Sequence, residues 1–458
     1  MIGAGRSALP PTPRVGGVRR QWFGRCAALT ATALTLAACS GGDGGPSAAE
    51  APDSAVTTDG ATATSTPSSS AEPATHREDG VLRIGVLLPQ AADPADPQSF
   101  GPSIGLAGIA AADQAINIIN ANGGFDGRDV VLYKADEGNS SERAREGIAE
   151  LLRDNVDAIV GPASSGVAID TLGELMDAGV LTCSPTATSL LLDDFPNRKL
   201  FFRLVASDST AAIALADRVR QSGVSSTALV YVDDAFGRPF AQATATALRN
   251  RRVSISVDVP FSSDDEDLSD EANLIADSGA SSIVLIADSG HGWPMMTALG
   301  AVAERFGDNP PVAIVVNDAM GRPPTPDVVT ALPDQMREAI QGVSPRGLKI
   351  YPDEPAGPFA TNTFDCVNLI ALAALQSDTD DPATMADNFV ELSRDGISCG
   401  GFDSCKAQID RGLDIDYNGP SQFLTLGDNG DPARGAFRTF VFDASGVAVD
   451  NGPITITA

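Results

Sequence analysis

Two hydroxyl-rich turns and one isolated acid stand out among the residues of this chain that could do chemistry. Gly161-Pro162-Ala163-Ser164-Ser165-Gly166 and Ser184-Pro185-Thr186-Ala187-Thr188-Ser189 each follow a short apolar run, and Asn317-Asp318-Ala319 follows Val315-Val316. Hydroxyls and backbone N–H groups on the first two suit a carboxylate, whereas the single carboxylate of Asp318 suits an ammonium. Each stretch also reads as a helix cap, since Ser, Thr and Asp favour that position. Three of them at strand ends together favour a ligand site, because ligands of open α/β sheets bind there.

Other chemistries find less support. The sequence has no P-loop lysine, no His-Glu-x-x-His and no glycine fingerprint after its first strand. With only two histidines, His76 and His291, a histidine-rich metal site or a hydrolase triad is hard to build, and neither metal nor cofactor is expected. Gly396-Ile397-Ser398-Cys399-Gly400 matches G-x-S-x-G, but a nucleophile elbow needs a strand before it and a helix after it. Here the match falls in a Gly/Cys loop after a helix, which favours a structural turn. The acid run Asp264-Asp265-Glu266-Asp267 lacks the spacing and central glycine of a calcium loop and reads as solvated. A net charge of −29 disfavours nucleic acid and anionic lipid surfaces, which need a positive patch.

The elements that must position these residues alternate. Val81–Leu88 is a buried strand, Ile104–Asn122 a helix, Val130–Tyr133 a strand, Ser141–Arg153 a helix, Asp157–Gly161 a strand, Val167–Ala178 a helix and Val180–Cys183 a strand. A second run begins after Phe201–Leu204: helix Ala211–Gln221, strand Thr227–Val232, helix Phe240–Arg249, then strands Val253–Val259, Ser282–Ile286 and Val312–Val316 with helices between. The same order twice implies two similar α/β lobes with parallel sheets. The tail adds helices Phe359–Leu375 and Pro382–Arg394, then strands Ala436–Phe442 and Val447–Ile456 around a turn at Asp443–Gly446.

The N-terminus is a different kind of segment. Five arginines precede a short apolar run from Cys26 to Ala38, far below the roughly 20 residues of a membrane span, so residues 1–38 read as a signal peptide. Leu36-Ala37-Ala38-Cys39 resembles the lipobox of bacterial lipoproteins, which implies diacylglyceryl attachment at Cys39 and a protein anchored on the outer face of the cytoplasmic membrane. Cleavage leaves 420 residues with 26 basic and 60 acidic groups. Residues 39–79, rich in Ser, Gly, Ala, Thr and Pro, read as a disordered tether that contains His76. Outside the reducing cytosol, Cys399 and Cys405 are expected to form a local disulfide, and Cys183 and Cys366, in apolar settings, are expected to be buried thiols.

Val81–Pro89, Ala121-Asn122-Gly123-Gly124, Ile159–Gly166, Cys183–Ser189 and Tyr231-Val232-Asp233-Asp234-Ala235-Phe236-Gly237 together resemble the Leu/Ile/Val-binding protein family. Phe364-Asp365-Cys366-Val367 and Asp428-Asn429-Gly430-Asp431 extend the likeness over nearly all of residues 80–458. The resemblance implies a type I periplasmic-binding fold, with lobes 80–206 plus 346–418 and 207–345 plus 419–458 joined by a three-strand hinge. Crossovers would fall near Val205–Ser207, Val343–Pro345 and Asn418–Pro420. It implies a non-enzymatic receptor delivering an apolar amino acid or small amide to ABC permease subunits; a sensory receptor of the same fold is the alternative. A monomer is expected. Ser164, Ser165, Thr186, Ala187 and Thr188 would hold the ligand carboxylate and part of its ammonium, with Asp318 pairing the ammonium. Phe100 and Phe236 would line the cleft where the family often carries Tyr, which implies a drier pocket. His291 and Trp293 follow the strand where members place a further ligand-facing aromatic, and Trp293 reads equally as lobe core.

Overall fold

The computed structural model describes residues 78–90, 101–196, 198–234, 236–307, 309–345, 355–421 and 424–457. The signal segment, Cys39, the tether up to residue 77 and Phe100 lie outside the described residues.

The first sheet contains β1 (Arg83–Leu88), β2 (Val131–Asp136), β3 (Ala158–Val160), β4 (Leu181–Ser184) and β5 (Phe201–Arg203), all parallel in the order β2-β1-β3-β4-β5. The central strands are buried along nearly their whole length on both faces, as helix-covered parallel strands must be. One face packs on α2 (Ser141–Arg153) and α3 (Ser165–Asp177). The other packs on α1 (Gly101–Ala121) and on three helices that return late in the chain.

The second sheet contains β6 (Ser226–Val232), β7 (Ser254–Phe261), β8 (Ser282–Ile286), β9 (Ala313–Val316) and β10 (Ile340–Pro345), ordered β10-β9-β8-β6-β7. This repeats the strand order of the first sheet, so both lobes are the same doubly wound unit. The edge strand β7 alternates exposed and covered positions, unlike the buried strands beside it. Its helices are α4 (Asp208–Gln221), α5 (Gly237–Asn250), α6 (Ser269–Asp277), α7 (Ser289–Ala301), α8 (Pro326–Thr330) and α9 (Asp334–Ala339).

The chain then returns to the first lobe with α10 (Ala360–Ser377), α11 (Pro382–Phe389) and α12 (Phe402–Ile409), and a small sheet of β11 (Ile397–Cys399) and β12 (Ile415–Tyr417). The antiparallel pair β13 (Arg434–Phe442) and β14 (Ala448–Thr457) ends the chain on the second sheet, β13 pairing with β10.

Two expectations need correction. Cys183 and Cys366 are not thiols; they are bonded, with Cα atoms 5.8 Å apart. An apolar setting suits a half-cystine as well as a thiol, and only the return of α10 onto β4 decides which. The lobe boundary at 418/419 also falls early. Leu424 and Leu426 still lie in the first-lobe core, and the turn that follows lies on β5 through Arg203 N to Gly430 O at 3.0 Å. The chain changes lobes between Asp431 and Arg434, because Leu424 and Leu426 bury in the first lobe before it. Cys399 and Cys405 are joined, with Cα atoms 5.3 Å apart.

Candidate functional site

The loop leaving β3 crosses the end of β1, and only glycine fits there. Gly161 has φ of 129°, and a Cβ on it would lie 2.0 Å from Leu87 O. Beyond it, Ala163 N and Ser164 N donate to the carboxylate of Glu137, at 2.6 and 2.9 Å. Glu137 is wholly buried, and burial pushes its carboxyl up to about 7 against the pull of those two bonds. Two of this turn's N–H groups thus already serve an internal acid. The first-turn amides of Ser165 and Gly166 remain, because a helix supplies them no acceptor. Ser164 is the N-cap residue of α3, yet its hydroxyl caps nothing.

Ser165 Oγ accepts from Thr188 N and Ser189 N, at 3.1 and 3.2 Å, and so joins the two hydroxyl-bearing turns. Thr186 Oγ1 donates to Ala163 O at 2.6 Å and makes a second tie. Ala187 is buried and donates its N–H to Ser184 Oγ at 3.1 Å, so it is a structural member of the loop. Thr188 sits half-buried at the tip, and its carbonyl accepts from Asp208 N at 2.9 Å.

Asp208 is the residue sequence reasoning missed. It opens α4 directly after the first crossover, where an acid reads as an ordinary complement to the helix dipole. In the fold it is buried, its side chain bonds to Thr188, and it lies close enough to Asp318 for the two charges to repel. Burial first and Asp318 second push its carboxyl up to about 8, opposed by Thr188 and Arg203. Bonds thus run from Ser165 through Thr188 to Asp208, from the first lobe into the second, and the charge of Asp318 reaches Asp208.

Three adjacent strand ends make the second-lobe wall. Asp318, half-exposed, follows β9; Asp288 to His291 follow β8; Phe236, partly buried, follows β6. Asn317 Oδ1 accepts from Ala287 N at 3.1 Å and locks the β9 and β8 ends together. Ser289 Oγ donates to Arg322 O, 2.5 Å away, and holds α7 against the turn carrying Asp318. Asp288 caps α7 and pairs with His291 Nδ1 at 2.5 Å. Trp293 belongs to the lobe core: it is 2% exposed and meets Phe442 edge-on at 5.4 Å. Phe236 meets Phe240 edge-on at 5.8 Å, so part of its ring covers the core.

Ser398 lies within β11, where its Oγ accepts from Asn418 Nδ2 at 3.3 Å. It is therefore in a paired strand and not on the sharp strand-to-helix turn that exposes a nucleophile. The acid run at 264–267 is an exposed, internally bonded turn, with Ser262 N donating to Asp265 and Ser269 N to Asp267.

Two like-ordered doubly wound sheets, connected by crossovers and carrying polar strand ends, define a two-lobed solute-binding protein. Residues 81–414 match the family model described as periplasmic binding protein, and the chain belongs to that family. It is 25% identical over 338 residues to the chemotactic signal transduction system substrate-binding protein BasB of Halobacterium salinarum, covering 69% of this chain and 77% of that one. It is 28% identical over 176 residues to Leu/Ile/Val-binding protein homolog 3 of Brucella melitensis, covering 38% of this chain and 45% of the other. An ABC transporter substrate-binding protein from Desulfitobacterium hafniense, solved in complex with Leu, superposes with a TM-score of 0.59 at 21% identity, covering 81% of this chain and 99% of its own.

Proposed function

We propose that this chain is a lipid-anchored, extracytoplasmic receptor that takes an apolar amino acid or small amide into the inter-lobe cleft and delivers it to ABC permease subunits. The observation that carries this reading is the Ser165–Thr188–Asp208–Asp318 chain, with hydroxyls and helix-start amides at one end and two acids at the other. The acidic end suits an ammonium, which would let both carboxyls ionise side by side. The opposite end suits a carboxylate, held by neutral donors at the start of α3. Binding free energy would go into closing the lobes, and the closed form would be the one a permease recognises. No catalytic step is invoked. Thr186 would act by fixing the loop, Phe236 and Phe100 by lining the apolar part of the cleft, and Cys39 by carrying the lipid.

The test is a thermal-shift screen of the purified protein against amino acids, amides and small carboxylates without an amine. A true ligand at 100 times its dissociation constant adds about 2.7 kcal/mol of stability. Stabilisation by amine-free carboxylates alone would overturn the zwitterion reading. The likeness to BasB supports a second role, in sensing. Loss of labelled ligand uptake on gene deletion argues for transport, and loss of the attractant response with uptake intact argues for sensing.

A further inference from the structure

We infer that Arg203 is a positioning residue that makes the Thr186–Thr188 loop and the hinge move as one unit. For its ligand arm this coupling rests on the amino-acid reading above.

Arg203 ends β5, the last strand before the first crossover, and its side chain is wholly buried. Its guanidinium reaches three separate segments. Nη1 donates to Ser189 O at 2.9 Å and to Ala187 O at 3.3 Å, the carbonyls on either side of Thr188. Nε and Nη2 each donate to Asp431 at 2.7 Å, immediately before the chain re-enters the second lobe. Nη2 also donates to Asp193 Oδ1 at 2.5 Å, and Asp193 in turn accepts from Ser207 Oγ at 2.7 Å. Ser207 is the last residue of the first crossover and caps α4, which begins with Asp208.

The fork is planar and rigid, so its acceptors cannot shift independently. A rotation at Ser207 pulls Asp193, and a rotation at Asp431 turns the guanidinium itself. Either displaces the carbonyls flanking Thr188, whose N–H and C=O are bonded to Ser165 and Asp208. Arg203 itself has no open donor for a ligand: all three of its nitrogens are engaged by protein oxygens.

The experiment compares wild type, Arg203→Lys and Ser207→Ala. Lysine keeps the charge but not the fork, whereas Ser207→Ala cuts the crossover branch at Asp193 together with the α4 cap on Ser209 N and leaves the other arms of the fork in place. Hydrogen exchange on ligand-free full-length protein is expected to show the Thr188 and Ser189 amides losing at least tenfold protection in both variants, with β3 amides unchanged. Loss confined to Asp208 and Ser209 in Ser207→Ala, with Thr188 and Ser189 as in wild type, would overturn the coupling. If Arg203→Lys fails to fold, Ser207→Ala carries the test alone. Calorimetry with L-leucine as probe is expected to show at least tenfold weaker binding in folded Arg203→Lys, and retention within twofold would overturn the ligand arm. Wild type that binds neither leucine nor any other amino acid would refute the ligand reading, and the exchange result would still decide the role of Arg203.

Discussion

Ligand binding should release a proton, and Asp208 is its source. Burial and the nearby Asp318 push the Asp208 carboxyl up to about 8, so it is largely protonated in the free protein at pH 7. An ammonium placed between the two acids favours the ionised form of both and pulls Asp208 down. The sign follows: binding expels a proton, so affinity rises with pH. If only ionised Asp208 accepts the ammonium, apparent affinity scales with the ionised fraction, about 1% at pH 6, about 9% at pH 7 and about 50% at pH 8. The expected gain is therefore about 50-fold from pH 6 to pH 8, with about 0.9 proton released per ligand at pH 7. Calorimetry at pH 7 in two buffers of different ionisation enthalpy gives the proton count directly, and Asp208→Asn should abolish it. Tight binding with no proton release and affinity flat between pH 6 and 8 would refute the placement of the ammonium beside Asp208.

Three further outcomes follow from the same geometry. Asp318→Ala should weaken amino-acid binding by several kcal/mol, about 3–5 for a charge stripped of a desolvated partner, and unchanged affinity by calorimetry removes Asp318 from the site. Replacing Cys183 and Cys366 together by serine frees a 183-residue loop, an entropic loss of about 5 kcal/mol in the unfolded-chain account; denaturant midpoints of the two forms check it. Burial first, with Asp380 adding to it, pushes Asp157 up to about 8 against its bond from Arg83 N. A carboxyl raised in the native state stabilises fully below its unfolded value of 3.8 and loses that contribution as pH climbs to about 8. The stability of wild type relative to Asp157→Asn should thus fall steadily from pH 4 to pH 8, and a constant difference would contradict a buried proton there.

Local pattern carried most of the architecture. Ser141–Arg153 and Ser282–Ile286 have the predicted bounds, because an amphipathic helix with a Ser140 cap and a continuous apolar strand are both local signals. Helix α11 stops at Phe389, short of the predicted Arg394, since that apolar spacing continues into a turn where Leu392 still buries itself. The polar strand ends were legible as stretches, but their partners were not. Nothing near Asp208 in sequence hints at Asp318, 110 positions on, and nothing near Ala163 hints that Glu137 occupies its N–H. Cys183 and Cys366 hid for the same reason. Each is locally an apolar residue, and the sheet face that unites them exists only after the second lobe has been made.

That late return is what gives the hinge its meaning. The first lobe is assembled from two pieces of chain, with β6 through β10 between them, and the Cys183–Cys366 bond ties the pieces together across β4 and α10. Most of the second lobe is thus a segment inserted between points that are fixed to each other, completed by β13 and β14 after a third crossing. Any rotation of that lobe about the first must be absorbed by the crossovers that join the two. Asn362 Nδ2 on Leu204 O at 2.7 Å secures the first crossover to α10, and the Arg203 fork secures the third to β5. Among the described residues, the crossover segments at Ser207 and Asp431 are both bonded through Arg203 to the turn that carries Thr188. A ligand gripping Thr188 and Asp318 at once would pull on the turn that the Arg203 fork ties to Ser207 and Asp431.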